Sequence, residues 1–169
     1  MKLTLEKVKE MQAQLKDTVG ERPATAEKTR VLVGMATCGL ASGAGKVMDA
    51  LKKTCDMLGI ADQVELISTG CIGLCQYEPI VEVLAPGQEK VTYIKMTAEK
   101  AEEVAQKHLQ NGKALGKYTM TYADEDAPNN DDAPVTTLAD TPFYKKQVRI
   151  ALRNCGKINP EDITEYMQP

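Results

Sequence analysis

Between Arg30 and Met96 the apolar residues change period twice, from strand to helix and back, and that order leaves few folds open. RVLVG (30–34) is a short apolar run closed by glycine and reads as a buried strand. A glycine-rich turn (34–45) leads into KVMDALKKTCDMLGI (46–60), whose apolar residues recur at helical spacing. QVELIS (63–68) then alternates as a strand does. IVEVLA (80–85) and VTYIKM (91–96) flank a Pro86-Gly87 turn, the signature of an antiparallel hairpin. Thr97, suited to cap a helix N-terminus, opens a last helix that runs to Gly112.

The order is therefore β-α-β-β-β-α. A strand–helix–strand start favours a parallel pair with a right-handed crossover, and the hairpin adds antiparallel strands. The expected fold class is α/β, a small mixed sheet with helices packed on it in the manner of thioredoxin, covering residues 28–112. An N-terminal amphipathic helix is expected within residues 1–24, where Leu5, Val8, Gln12, Leu15 and Val19 share helical spacing. Residues 113–140 read as a linker, because TYADEDAPNNDDAPVTTLAD (121–140) is acidic, rich in Asp, Asn and Pro, and lacks apolar periodicity. Residues 141–169 turn basic and form an extended C-terminal arm. Its apolar residues, Val148, Ile150, Leu152, Ile158 and Ile163, are too few for a core of their own, so it is expected to dock on a neighbour.

The 169 residues suffice for one domain with appendages. A net charge of −3 and mixed-sign charge runs provide no basic track for a phosphate backbone, which argues against nucleic acid. No apolar run approaches the roughly 20 residues that span a bilayer, and no signal-peptide pattern opens the chain. Membrane insertion is not expected, and the location implied is cytoplasmic. In a reducing compartment five irregularly spaced cysteines point to metal ligation or burial rather than a disulfide framework.

Two of the five stand out. TGCIGLCQYEP (69–79) places Cys71 and Cys75 four apart among glycines, directly after a strand. Glycines let such a loop turn several N–H groups toward one centre, which suits sulfur atoms bearing negative charge. The bland alternative is that both thiols only fill space. The other strand-to-helix loop, GMATCGLASGAGK (34–46), contributes Cys38. If both loops leave the same end of adjacent parallel strands, Cys38, Cys71 and Cys75 meet and form three metal ligands, with the fourth unidentified. Cys55 lies on the apolar row Val47, Leu51, Cys55, Leu58 and reads as core, and Cys155 reads as a packing or interface cysteine.

Other chemistry finds little support. Gly45-Lys46 lacks both the leading glycine and the trailing hydroxyl of a phosphate-binding loop. There is no C-x-x-C pair of the thioredoxin redox type. His108, the only histidine, sits late in the charged helix AEEVAQKHLQ and reads as a solvated, dipole-compensating residue. No nucleophile–base arrangement is visible, so the chain is not expected to be a catalyst alone.

VLVGMATCGLASGA, TGCIGLCQYEPIVEV and the element order together resemble the thioredoxin-like [2Fe–2S] ferredoxins of complex I and of multisubunit NAD-linked hydrogenases. PFYKKQVRIALRNCGKINPEDITEYM (142–167) resembles the segment that, in NADH-binding beta subunits of such hydrogenases, follows a ferredoxin domain and introduces the FMN and NADH domain. The resemblance implies an electron-transfer module with a [2Fe–2S] cluster, with FMN and NAD bound by a partner or a downstream domain. It implies as partners a flavin- and NADH-binding subunit and other iron–sulfur subunits.

The family's second ligand pair, C-x3-C, falls on Cys71 and Cys75. Its first pair, C-x4-C, falls on Gly34 and Gly39 when Gly43 is matched to the family's glycine, leaving Cys38 one place out of register. Thr37, Ser42, Cys55 after rearrangement, or a residue of another chain stay open as the fourth ligand. The alternatives to a cluster carrier are a cluster-free adaptor that holds partners together and a zinc or thiol-redox module.

Overall fold

A computed structural model describes residues 4–18, 28–120, 133–135 and 137–167. Four strands form one mixed sheet in the order β2-β1-β3-β4: β1 (Thr29–Gly34), β2 (Val64–Thr69), β3 (Val81–Leu84) and β4 (Val91–Tyr93). β1 and β2 run parallel, whereas β3 pairs antiparallel with both β1 and β4. The crossover between the parallel strands contains α2 (Thr37–Ala41) and α3 (Ala44–Leu58), and α4 (Ala98–Val104) follows the hairpin. The expected order of elements along the chain, the parallel first pair and the hairpin are present, and Thr97 caps α4 by accepting from the Lys100 amide at 3.3 Å.

Alternation along the strands gives the sheet two unlike faces. Val31, Val33, Val64, Val81, Val83, Val91 and Tyr93 join Val47, Leu51 and Cys55 of α3 and Ala101 and Val104 of α4 in the main core. This is the layer that the helical and strand periods call for, because each element hides one apolar face against the other. The opposite face carries Arg30, Leu32, Glu65, Ile67, Glu82 and Leu84, as the strand register requires.

That second face is covered by the C-terminal segment, which seats on this chain's own domain. Tyr144, in α5 (Pro142–Lys145), and Ile158 are buried. In α6 (Ile163–Met167), Glu165 pairs with Arg30 at 2.6 Å. Gly156, at φ +70°, lies so close to Glu82 that a Cβ there would stand 2.2 Å from the carboxylate. Glu82 is thereby only 1% exposed, held by Lys90 at 2.5 Å and by the Thr92 hydroxyl at 3.3 Å.

Several local readings are corrected or extended. The stretch expected as a glycine-rich turn contains the short helix α2. His108 is not solvated: it is 3% exposed, and Tyr93 Oη lies 2.7 Å from its Nδ1. Tyr93 also accepts the Leu115 amide at 3.1 Å, so its hydroxyl proton goes to the imidazole. Burial lowers the His108 pKa to about 4.

Residues 113–120 pack beside β4, with Leu115 and Thr119 buried and the Ile94 amide bonded to the Tyr118 carbonyl at 3.0 Å. Residues 121–132 of the acidic stretch lie outside the described residues. The N-terminal helix α1 (Leu5–Thr18) is formed, and Gln12 Nε2 donates to the Met167 carbonyl at 3.0 Å. No helix among the described residues is long and apolar enough to cross a membrane.

Candidate metal centre

The two cysteine-bearing loops leave the carboxyl ends of β1 and β2, the adjacent parallel strands. A hydrogen bond from the Met35 amide to the Thr69 carbonyl, 2.8 Å, ties the strand ends together just where the loops depart. In the first loop, α2 carries Cys38. Gly39 beside it packs so tightly that a Cβ would lie 2.0 Å from the Gly34 carbonyl oxygen. Only glycine fits that approach.

The second loop is pegged by its apolar residues. Ile72 and Leu74 are buried with Ile80, Ile94, Leu138 and Tyr144, while Cys75 is exposed and Cys71 half-buried. The alternation in CIGLC thus sinks two aliphatic side chains and leaves the thiols outside. Gly73 takes φ +92°, and its amide donates to Cys71 Sγ at 3.3 Å.

The three thiols converge. Cys38 and Cys75 Sγ are 3.2 Å apart, Cys71 and Cys75 Sγ are 3.4 Å apart, and all three lie within 4.8 Å of one another. Contact with Cys75 holds Cys38 below the usual thiol range, and contact with Cys38 and then Cys71 pushes Cys75 up to about 12. The two shifts have opposite signs because Cys38 and Cys75 lie in direct contact.

The remaining sequence candidates separate cleanly. Cys55 is 2% exposed in the main core, where burial raises its pKa. Gly34 and Gly39, the places where the family's first ligand pair was expected, are closed by packing. A Cβ at Gly34 would meet the Glu78 carboxylate at 3.0 Å. Glu78 itself accepts the Ile80 amide at 2.8 Å, and burial raises its pKa. Thr37 and Ser42 are exposed. Cys155, assigned from sequence to packing, rests on the second loop, its Sγ 3.4 Å from the Gly70 carbonyl oxygen and 3.5 Å from that of Cys71. No local signal announces this contact, because it spans 84 residues and the acidic stretch.

Comparison with known proteins agrees with this geometry. No protein-family model matches the chain. The 2Fe-2S ferredoxin of Clostridium pasteurianum is 30% identical over 70 residues, 41% of this chain and 66% of that protein. The thioredoxin-like [2Fe-2S] ferredoxin of Aquifex aeolicus superposes with a TM-score of 0.50 at 21% identity, covering 56% of this chain and 98% of the ferredoxin. The chain carries a thioredoxin-like ferredoxin domain. It is also similar to the NADP-reducing hydrogenase subunit HndB of Solidesulfovibrio fructosivorans, 26% identical over 112 residues, which are 66% of this chain and 88% of that subunit. In this domain the thiol triad occupies the loop end of the sheet.

Proposed function

We propose that the chain is an electron-transfer module that holds a [2Fe–2S] cluster on Cys38, Cys71 and Cys75 and serves a multisubunit hydrogenase or NAD(P)H-linked oxidoreductase. The observation that carries this reading is the convergence of three thiols from two separate loops within 4.8 Å, at the end of a ferredoxin-type sheet. The donor set fits the group in kind, since iron–sulfur centres take thiolates, though three are one short of the usual four. When bound, the cluster supplies one-electron exchange.

The protein's own contribution is readable from its residues. Cys38, Cys71 and Cys75 give up their protons on loading, and the Gly73 amide offers a hydrogen bond that stabilises negative charge on Cys71. Ile72 and Leu74 fix the loop against the core beneath. Cys75 is exposed, which gives an electron a short way in or out. Leu40 of α2 and Phe143 of α5 are exposed large apolar side chains of the kind a docking partner covers.

Membership in a hydrogenase-type assembly rests on the similarity to HndB. Within it, FMN and NAD belong on a partner subunit, and other iron–sulfur subunits complete the chain of carriers. This reading places the chain in the cytoplasm, a reducing compartment where clustered thiols stay available to a metal. Val148 and Ile150, 88% and 78% exposed, support a further partner surface on the C-terminal segment.

One distance favours a second reading: the 3.2 Å contact of Cys38 and Cys75 also suits a thiol pair that closes reversibly to a disulfide. Anaerobic purification of the wild-type chain with Cys71→Ala and Cys75→Ala variants separates the two. The cluster reading expects iron and a reduced-state EPR signal in wild type and their loss in both variants. Equal iron content in all three would exclude it, and iron-free protein that loses two thiols on oxidation would select the second reading.

A further inference from the structure

We infer that Cys155, from the C-terminal segment, supplies the fourth thiolate of the centre on Cys38, Cys71 and Cys75. The inference rests on the cluster reading above and names the donor which that reading lacks.

The other candidates named within this chain fail on position or chemistry. Cys55 is sealed in the helix-side core. Thr37 and Ser42 offer hydroxyl oxygens, poor partners for a centre that selects soft sulfur. Gly34 and Gly39 have no side chain, and the backbone around Gly39 leaves no room for one. Cys155 is a thiol already resting on the ligand loop, against the carbonyls of Gly70 and Cys71.

Its placement is part of a longer alignment between segment and loop. The Tyr144 hydroxyl donates to the Ile72 carbonyl at 2.5 Å, and a Cβ at Gly73 would meet Leu152 Cδ1 at 3.8 Å. The segment therefore follows the loop from residue 70 to residue 73, on the loop that bears two of the three ligands. This alignment packs the segment on the ligand-bearing loop, with Tyr144 and Cys155 beside Ile72 and Leu74.

Cys155 is also free to exchange its present contacts. Its thiol makes only weak hydrogen bonds of the S–H···O kind, one also within 4.0 Å of Thr69 Oγ1. Its backbone belongs to a run of turns, 151–157, with the Cys155 amide bonded to the Leu152 carbonyl at 3.1 Å, so a small shift breaks no helix or strand. The sulfur stands outside the group of three that lies within 4.8 Å. Ligation thus requires the turn to close on the loop. Metal loading would then draw the already docked turn at 151–157 closer to the loop.

The test uses the full chain, reconstituted without oxygen, as wild type and as Cys155→Ser, Cys155→Ala and Leu152→Ala. With Cys155 as ligand, the serine variant keeps iron but changes its visible and EPR spectra, because oxygen replaces sulfur. The alanine variant loses iron to a chelator about tenfold faster. Leu152→Ala, which loosens the same turn without touching the sulfur, keeps the wild-type spectra. Wild-type amide exchange across 144–158 slows on loading, and in Cys155→Ala it does not. Wild-type spectra and iron retention in both Cys155 variants would overturn the assignment while leaving the cluster reading intact. A wild-type chain that takes up no iron would overturn both.

Discussion

The two faces of the sheet are covered by opposite means. On one, α3 and α4 bury a continuous aliphatic layer in which Val31, Val33, Leu51, Val81 and Val83 are fully enclosed. On the other, a segment with little regular structure lies over Arg30 and Glu82, and it is held by the Glu165–Arg30 ion pair, the Tyr144 hydroxyl bond to the Ile72 carbonyl and the burial of a few apolar side chains, Leu138, Tyr144 and Ile158. Apolar burial is non-directional and sums over many contacts, whereas a buried charge is held only while its partner stays in place. The helix-covered face accordingly carries the stability of the ferredoxin domain. The segment-covered face adjoins the thiol loop, which the segment touches through Tyr144, Leu152 and Cys155.

The largest expected effect that tests this contrast lies on the helix side. Leu51→Ala removes a fully buried side chain and should lower the unfolding free energy by about 3 kcal/mol in urea titrations. A loss below 1 kcal/mol would show that α3 is not the keystone of that layer.

A smaller effect comes from His108, which burial keeps neutral with a pKa near 4 against its ordinary 6.5. As pH falls, the unfolded chain takes up this proton first, so the stabilisation is whole above pH 6.5 and is lost on the way down to pH 4. The loss is on the order of 2 kcal/mol, allowing for partial rehydration of the site. His108→Gln should flatten that part of the stability profile, and an unchanged slope would place the pH dependence elsewhere.

The smallest effect belongs to the cover. Glu165→Gln weakens the pair with Arg30, which retains Glu65 at 3.0 Å, and should cost about 1 kcal/mol. Hydrogen exchange should register it as faster exchange in 141–167 with the strands unaffected. Uniform loosening of the whole domain would mean that the two faces are not independent.

Much of this was legible in the sequence because the deciding signals are local. The period changes from RVLVG to VTYIKM name the strands, Pro86-Gly87 names the hairpin, and strand-to-helix order makes β1 and β2 parallel. Once that pair is parallel, loops from the same strand ends bring Cys38 to Cys71 and Cys75, and the row through Val47, Leu51 and Cys55 places Cys55 in the core. His108 was misplaced because the charges around it masked the stripe Ala101, Val104, Ala105, His108, whose helical spacing faces the core. The glutamates at 65 and 82 have the alternation of a solvent-facing side, and nothing local says that a distant segment covers Glu82. Cys155 was read as a packing or interface cysteine, and what it packs on could not be read for the same reason: its contact with Gly70 and Cys71 is made by tertiary docking across the acidic stretch.

The most direct measurement is iron and acid-labile sulfide per chain in protein purified and reconstituted without oxygen. A ferredoxin domain with a working thiol triad gives about two irons and two sulfides per chain, and Cys71→Ala abolishes both. A reconstituted wild-type chain with neither iron nor sulfide would contradict the account, leaving Cys38, Cys71 and Cys75 as clustered thiols on a scaffold.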